Sequence, residues 1–369
     1  MEESATSGKD FIAAEEPLVI AGPCSAETKE LVVETARALA AGKRVQLFRA
    51  GIWKPRTRPD SFEGVGAVGL EWLVEARKES GLPVITEVAN ARHVEQCLEI
   101  GIDAVWIGAR TTVNPFYVQE IAEALRGTNI PVFVKNPVSP EIGLWIGAIE
   151  RLGKANVKMV CAIHRGFTPV GRSSYRNDPL WELPIELKTQ FPEIKMLCDP
   201  SHIAGDKSLI KELAQRAMDL NMDGLMIETH IRPEEALTDA QQQITPGELR
   251  TLLEKITFRA PGSSDPMFTS KLEELRKAID EIDAEMLEQL IKRMELVDEI
   301  GEYKFENKVT VFQLKRWKEI LNTRINYGRK IGLEEAFLKK LLQLVHKESI
   351  RRQTAIMNKL ESIKKEVNG

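Results

Sequence analysis

Two sets of side chains in the first two thirds of the chain have the types that chemistry needs. Cys24, His202, Glu228 and Asp239 offer a thiolate, an imidazole and two carboxylates. A mixed sulfur, nitrogen and oxygen shell suits Mn²⁺, Fe²⁺, Co²⁺ or Zn²⁺ better than Mg²⁺ alone. Taken singly each has a bland reading: Cys24 as a small core hydrophobe, Asp239 as a solvated carboxylate. Taken together they point to a metal centre. The second set is cationic: Arg49, Lys54, Arg56, Arg110, Lys135, Arg165, Arg172 and Arg176. Guanidinium forks bind phosphate and carboxylate bidentately. Cations crowded together repel one another unless a polyanion sits among them. The set therefore predicts one substrate, or two, carrying phosphate and carboxylate. Arg58 and Arg172 read as solvated surface charges.

These residues follow short apolar runs that must position them. The runs are LVIAGPC (18–24), VQLFRA (45–50), PVITEV (83–88), AVWIGA (104–109), PVFVKN (131–136), VKMVCAIH (157–164), KMLCDPSH (195–202) and GLMIETH (224–230). Between them lie amphipathic stretches such as ETKELVVETARALAAG and SLIKELAQRAMDLN. Continuous apolar runs bounded by turn signals suit strands buried on both faces of a parallel sheet. Eight strand–helix units predict an α/β fold of the (β/α)8, or TIM-barrel, type. A doubly wound open sheet is the alternative, because periodicity does not reveal closure. Barrel active sites lie at the C-terminal strand ends. Those ends read Cys24, Arg49, Glu87, Arg110, Lys135, His164–Arg165, His202 and Glu228, nearly all expensive to bury without partners. The segment HRGFTPVGRSSYRNDP is a long loop, and such loops in compact domains are usually functional.

The pattern breaks at FRAPGSSDPMF, residues 258–268, which reads as a linker. The expected organisation is a barrel over 1–257, the linker, and a separate all-α domain over 269–369. Residues 269–366 contain no Pro and three Gly, with Leu272, Leu275, Ile279, Ile282, Met286 and Leu290 at helical spacing. One very long first helix, from about 269 to 305, needs partner helices or a second chain to cover its stripe. Arg293 and Lys304 are three turns apart on one face, roughly 16 Å along the axis. Ser349 and Gln353 share a face of a later helix. Alone, such charges read as a solvated helix surface.

Bulk properties narrow the partners. The chain has 369 residues with 51 Lys+Arg against 55 Asp+Glu, a net charge of −4. That balance argues against nucleic-acid or anionic-membrane binding and in favour of small anions. Four scattered cysteines, an acidic N-terminus without an apolar core and no long apolar run predict a reduced, cytoplasmic, unanchored protein.

The motifs GPCS, KPRT, IGART, VFVKNP, DPSH, MIETH and LTDAQQQ, in this order, resemble the 3-deoxy-D-arabino-heptulosonate 7-phosphate (DAHP) synthases, the short β subclass in particular, over about residues 15–257. The resemblance implies metal-dependent condensation of phosphoenolpyruvate with erythrose 4-phosphate. It implies Cys24, His202, Glu228 and Asp239 as metal ligands. Arg49, Lys54, Arg110, Lys135 and Arg176 would hold phosphoenolpyruvate, with Arg165 among the rim cations, and Arg56 and Thr57 the aldose phosphate. Lys54 is the expected proton donor, its pKa lowered by its cationic neighbours. A sister family, the 3-deoxy-octulosonate 8-phosphate synthases, carries an Asn-containing motif where this chain has KPRT. In the second half, LRKAIDEIDAEMLEQLIKRMELVDEIGEYK and LLQLVHKESIRRQ resemble the all-helical chorismate mutases. That resemblance implies an intertwined homodimer, with Arg276, Arg293, Arg316, Ser349 and Gln313 binding chorismate and Lys304 and Gln353 contacting its ether oxygen. Gln313 and Trp317 depart from the carboxylates common there. Feedback by chorismate or prephenate is expected. The alternatives are a helical half that serves mainly in dimerisation and sensing, and a non-enzymatic scaffold.

Overall fold

The computed structural model describes residues 17–54 and 62–368. Arg56, Thr57 and Arg58 lie outside the described residues. Two compact units meet between Pro261 and Gly262.

The first unit contains eight strands: β1 Leu18–Gly22, β2 Leu47–Arg49, β3 Val84–Val88, β4 Ala104–Ile107, β5 Val132–Lys135, β6 Val160–His164, β7 Lys195–Cys198 and β8 Gly224–Glu228. Each pairs in parallel with the next, and β8 closes on β1 over the register Leu18↔Gly224 to Gly22↔Glu228. Closure excludes the open sheet. The strands read as unbroken apolar runs because both faces are covered. Ile20, Leu47, Ile85, Trp106, Phe133, Ile163 and Met226 fill the interior. The alternate positions, such as Val19, Phe48, Val84 and Val105, pack outward in the larger core.

The outer layer comprises α1 Lys29–Ala41, α2 Val68–Ser80, α3 Ala91–Ile100, α4 Pro115–Ala124, α5 Ile142–Lys154, α6 Glu182–Gln190, α7 Ile210–Asp219 and α8 Pro246–Lys255. Local chemistry starts several of them. Thr28, Asn90 and Asn114 cap α1, α3 and α4, and Thr245 with Glu248 forms a capping box on α8. Most strands stop short of the ends of their sequence runs; β3 and β6 reach theirs at Val88 and His164. Residues Ala109–Thr112 and Pro200–Ala204 instead form short helices, so Arg110 and His202 stand on helical turns above the barrel.

The second unit holds α9 Pro266–Glu306, α10 Leu314–Lys330 and α11 Glu335–Asn368. Helix α9 has 41 residues, about 60 Å of axis. It begins three residues before the expected position. Pro266 looks like a breaker in sequence, but it occupies the first turn, where its missing N–H is no loss, and Asp265 caps it. Only Met294, Val297 and Gly301 of α9 are buried; Leu275, Ile279, Ile282 and Met286 are exposed. Among the described residues no helix is long and apolar enough to cross a membrane.

Candidate active site

The C-terminal mouth of the barrel gathers most of the residues expected there. Two close backbone approaches set its floor. Gly22 has φ +147°, and a Cβ there would collide with the Arg49 carbonyl, so only glycine lets β1 and β2 bring Cys24 against Arg49. A Cβ on Gly108 would likewise strike the Glu87 carboxylate.

Ligand atoms of Cys24, Glu228 and Asp239 all lie within 4.8 Å of one another. His202 falls outside that trio. Its Nε2 stands 3.6 Å from Glu228 Oε1, while Nδ1 lies 2.8 Å from Asp199 Oδ2. Burial lowers the His202 pKa, against the pull of Asp199 and Glu228. Contact with Asp199 through Nδ1 turns the Nε2 lone pair toward the trio, the arrangement by which outer carboxylates orient metal-binding imidazoles. Glu228 Oε1 is buried without a hydrogen-bond partner, whereas Oε2 accepts from Gln242 at 2.6 Å. Burial would raise the Glu228 pKa, but His202 and Arg49 hold it down. Asp239 sits in the left-handed region at φ +52°. His202 and Arg176 outweigh its burial and keep it ionised. A buried carboxylate oxygen that accepts no hydrogen bond, a thiol, a second carboxylate and an oriented imidazole fit a divalent cation of the thiolate-tolerant kind.

Lys54 departs from expectation. Its Nζ donates to Cys24 Sγ at 2.8 Å and to the Cys24 carbonyl at 2.9 Å. Burial alone would lower its pKa, but Cys24, Glu228 and Glu87 outweigh burial and raise it. The side chain therefore faces the anionic cluster rather than the other cations, and it remains an ammonium at neutral pH.

Beside the trio lies a cavity of about 210 Å³ whose walls include Lys54, Arg110, Lys135, Arg165 and Arg176. Arg49 lies beneath, its guanidinium carbon 4.8 Å from the Trp106 ring centroid and its Nη2 3.2 Å from Glu228 Oε1. Arg49 Nε and Nη1 are buried without partners, two N–H groups open to an anion. Arg165 donates to Asn177 Oδ1 at 2.8 Å, and burial pushes it down to about 10. Arg176 bridges Asp239 at 2.8 Å and Gln242 at 2.6 Å.

Sequence reasoning passed over Asp199. Fully buried, it takes Lys135 Nζ at 2.7 Å, contacts His202 and caps the Pro200–Ala204 helix. Burial would raise its pKa, but His202 and Lys135 hold it well below the carboxylate range. Its signal was present in DPSH, where an Asp precedes a Pro at a helix start. Glu87, which accepts from Trp106 at 3.2 Å, was seen at a strand end and given no task.

In the helical unit, Arg293 donates to Ser349 Oγ at 2.8 Å and Lys304 to the Val311 carbonyl at 2.6 Å. Ser349 and Gln353 are buried. Trp317 does not reach outward; it stacks on His346. Three expected residues stay apart from this cluster in the single chain. Arg276 pairs with Glu273 and Arg316 with Glu319 on the surface, and Gln313 is exposed at the start of α10. Arg276 lies on the stretch of α9 whose apolar side chains are also uncovered.

The model of the DAHP synthetase I family matches residues 4–258, the greater part of the chain. The chain belongs to the DAHP synthetase I family. A second model, chorismate mutase type II, matches residues 275–354, so the family's barrel is joined here to a mutase-type domain. The phospho-2-dehydro-3-deoxyheptonate aldolase of Thermotoga maritima is 31% identical over 226 residues, 61% of this chain and 64% of that protein. The chain thus spans just under two thirds of that relative's length. The 2-dehydro-3-deoxyphosphooctonate aldolase of Nitratidesulfovibrio vulgaris is 28% identical over 255 residues, 65% of this chain and 90% of that protein. The crystal structure of the Thermotoga maritima phospho-2-dehydro-3-deoxyheptonate aldolase superposes with a TM-score of 0.58 at 28% identity, covering 65% of this chain and 68% of that one. A truncated form of 3-deoxy-D-arabino-heptulosonate 7-phosphate synthase from the same organism gives 0.57 at 26% identity, over 65% and 85% of the two chains.

In this DAHP synthetase family member, a cation entering the Cys24–Glu228–Asp239 cluster would meet a thiol whose proton it must displace. Burial first, and then Glu228 and Asp239, push Cys24 up to about 12. The thiol is protonated at neutral pH, and a cation must displace that proton. With the carboxylates ionised, the Cys24 thiol supplies the proton that sets the slope. Apparent affinity should rise about tenfold per pH unit with one proton released per ion. A competition titration with Zn²⁺ across the neutral range measures this; a flat profile would remove Cys24 from the shell.

Proposed function

We propose that the barrel condenses phosphoenolpyruvate with erythrose 4-phosphate to DAHP and phosphate, and that the helical unit rearranges chorismate to prephenate. The observation that carries the first activity is the cavity of five cations opening beside the Cys24–Glu228–Asp239 cluster. Cys24, His202, Glu228 and Asp239 would hold a divalent ion, Mn²⁺, Fe²⁺, Co²⁺ or Zn²⁺, which when bound supplies Lewis-acid polarisation of an aldehyde oxygen.

The chain's own groups do the rest. Arg49, Arg110, Lys135, Arg165 and Arg176 hold the phosphate and carboxylate of phosphoenolpyruvate, so that its carbon 3 faces the aldehyde. The unpartnered Nε and Nη1 of Arg49 are ready donors. Water adds at carbon 2, and phosphate leaves against the same cations. Lys54, an ammonium against Cys24, donates a proton to the alkoxide. Arg56 and Thr57 take the aldose phosphate; the KPRT motif they belong to favours the four-carbon sugar over the five-carbon substrate of the octulosonate enzymes.

In the helical unit, Arg293, Ser349, Arg316 and Gln313 bind the dicarboxylate, and Lys304 and Gln353 face the ether oxygen. Arg276 enters from a second copy. The exposed apolar side chains of α9 support a homodimer through that helix. They equally favour the second reading, in which the unit serves chiefly as a dimeric sensor. In either reading, chorismate or prephenate bound there inhibits the barrel. The four described cysteines are free thiols, which supports a cytoplasmic setting. A paired assay on the full chain tests all of this: phosphate release from the two phosphorylated substrates, and loss of chorismate absorbance. Both activities are expected, with the first inhibited by saturating prephenate. Barrel turnover without mutase turnover supports the sensor reading; barrel kinetics unmoved by prephenate reject the regulation.

A further inference from the structure

Among the described residues, the helical unit holds two buried side-chain polar atoms with no hydrogen-bond partner, Gln353 Oε1 and His346 Nε2. Both lie on α11, seven residues and two turns apart, and so on one face. Ser349 lies between them and receives Arg293 at 2.8 Å. Helix α10 fixes the imidazole from the other side. The Trp317 ring stacks on it at 4.1 Å between centroids, 8° from parallel. Phe312, 6.0 Å away, adjoins Val311, whose carbonyl holds Lys304 at 2.6 Å. The imidazole lies close enough to both anchored cations of α9 to feel their charge. Burial, with Arg293 and Lys304, lowers its pKa and keeps it neutral.

A histidine that served only to pack this interior would be expected to satisfy its buried nitrogen. The apolar neighbours clamp the ring and leave that atom open, in line with the groups already assigned to a ligand. Carboxylates suit the arginines, and an ether oxygen suits Lys304 and Gln353. A ring hydroxyl, which both donates and accepts, suits a neutral imidazole.

We propose that His346 is a further ligand-contacting residue, its Nε2 hydrogen-bonding the ring hydroxyl of the cyclohexadienyl dicarboxylate, with Trp317 as the positioning residue that holds the imidazole in plane. The proposal rests on the mutase reading given above.

The test uses the full-length chain with chorismate and its 4-deoxy analogue, which lacks the hydroxyl. The wild type should prefer chorismate about tenfold in kcat/KM, the worth of one neutral hydrogen bond. His346→Leu should lose about that factor on chorismate and show no preference between the two compounds. His346→Gln, which retains a polar tip, should recover part of the preference. If His346→Leu keeps the wild-type preference, the proposal is overturned, whatever its absolute rate. If His346→Leu does not fold, the wild-type comparison carries the test: a wild type that shows no preference between the two compounds overturns the proposal equally. Arg293→Ala separates the two levels of inference: it must abolish turnover if the mutase reading holds. A wild type that neither converts chorismate nor binds prephenate rejects that reading, and the role of His346 with it.

Discussion

Cys24→Ala is expected to lower DAHP formation by at least about 100-fold, beyond what outer-shell changes at metal centres cost, and to empty the metal site. Cys24 is wholly buried and offers the softest atom of the cluster; its backbone is held independently, by Gln243 on the N–H and by Arg49 and Lys54 on the carbonyl. Truncating the side chain therefore removes a ligand without removing the turn that carries it. It also frees Lys54 Nζ from its sulfur contact, while the carbonyl contact at 2.9 Å remains. The predicted loss is in metal content first and turnover second. Metal analysis after dialysis, alongside phosphate release, measures both, and chorismate turnover of the same sample should be unchanged. Wild-type metal content and rate in Cys24→Ala would mean that the trio is not the metal centre.

Lys304→Met should reduce mutase kcat by about 10²–10³, the scale for removing one donor from a developing oxyanion, with DAHP formation unaffected. Lys304 is anchored by the Val311 carbonyl at 2.6 Å, so its ammonium is positioned before a ligand arrives. In the proposed role, its interaction with the ether oxygen strengthens as the carbon–oxygen bond breaks. The effect should therefore appear in kcat, with KM changed little. Methionine preserves the stem and removes only the charge. Steady-state kinetics on chorismate decide the matter. A rise in KM alone would make Lys304 a ground-state binder, and no change would place the ether contact elsewhere.

Much of the barrel was legible because a closed parallel sheet buries both faces of every strand. Runs such as LVIAG and AVWI consequently stand out, and their ends mark the C-terminal mouth of the barrel. Cys24, Arg49, Lys135 and Glu228 were all found by that rule. The rule weakens where the chain leaves the ladder. Arg110 and His202 lie on short helices, and the capping of the second by Asp199 is a local signal that an apolar-run reading overlooks. Helix α9 was visible from its spacing, but its start was misplaced, because proline breaks a helix everywhere except at its first turn.

Residue types and their order along the chain determined, without coordinates, that thiol, imidazole, carboxylates and cations would meet at the ends of eight strands. These groups are too costly to bury except where chemistry needs them. Which of them touch was decided only in three dimensions. Closure of β8 on β1 brings Glu228 and Asp239 to Cys24 across more than two hundred residues. Lys54, counted in sequence among like charges, is set by the neighbouring β1 and β2 strands against the Cys24 sulfur, where Cys24, Glu228 and Glu87 reverse the sign of its pKa shift. Trp317 and His346, 29 residues apart in sequence with nothing there to pair them, become one stacked pair because α10 and α11 fold together. Electrostatic sign and ligand access depend on distance in space, and sequence spacing carries that distance only within a single helix or strand.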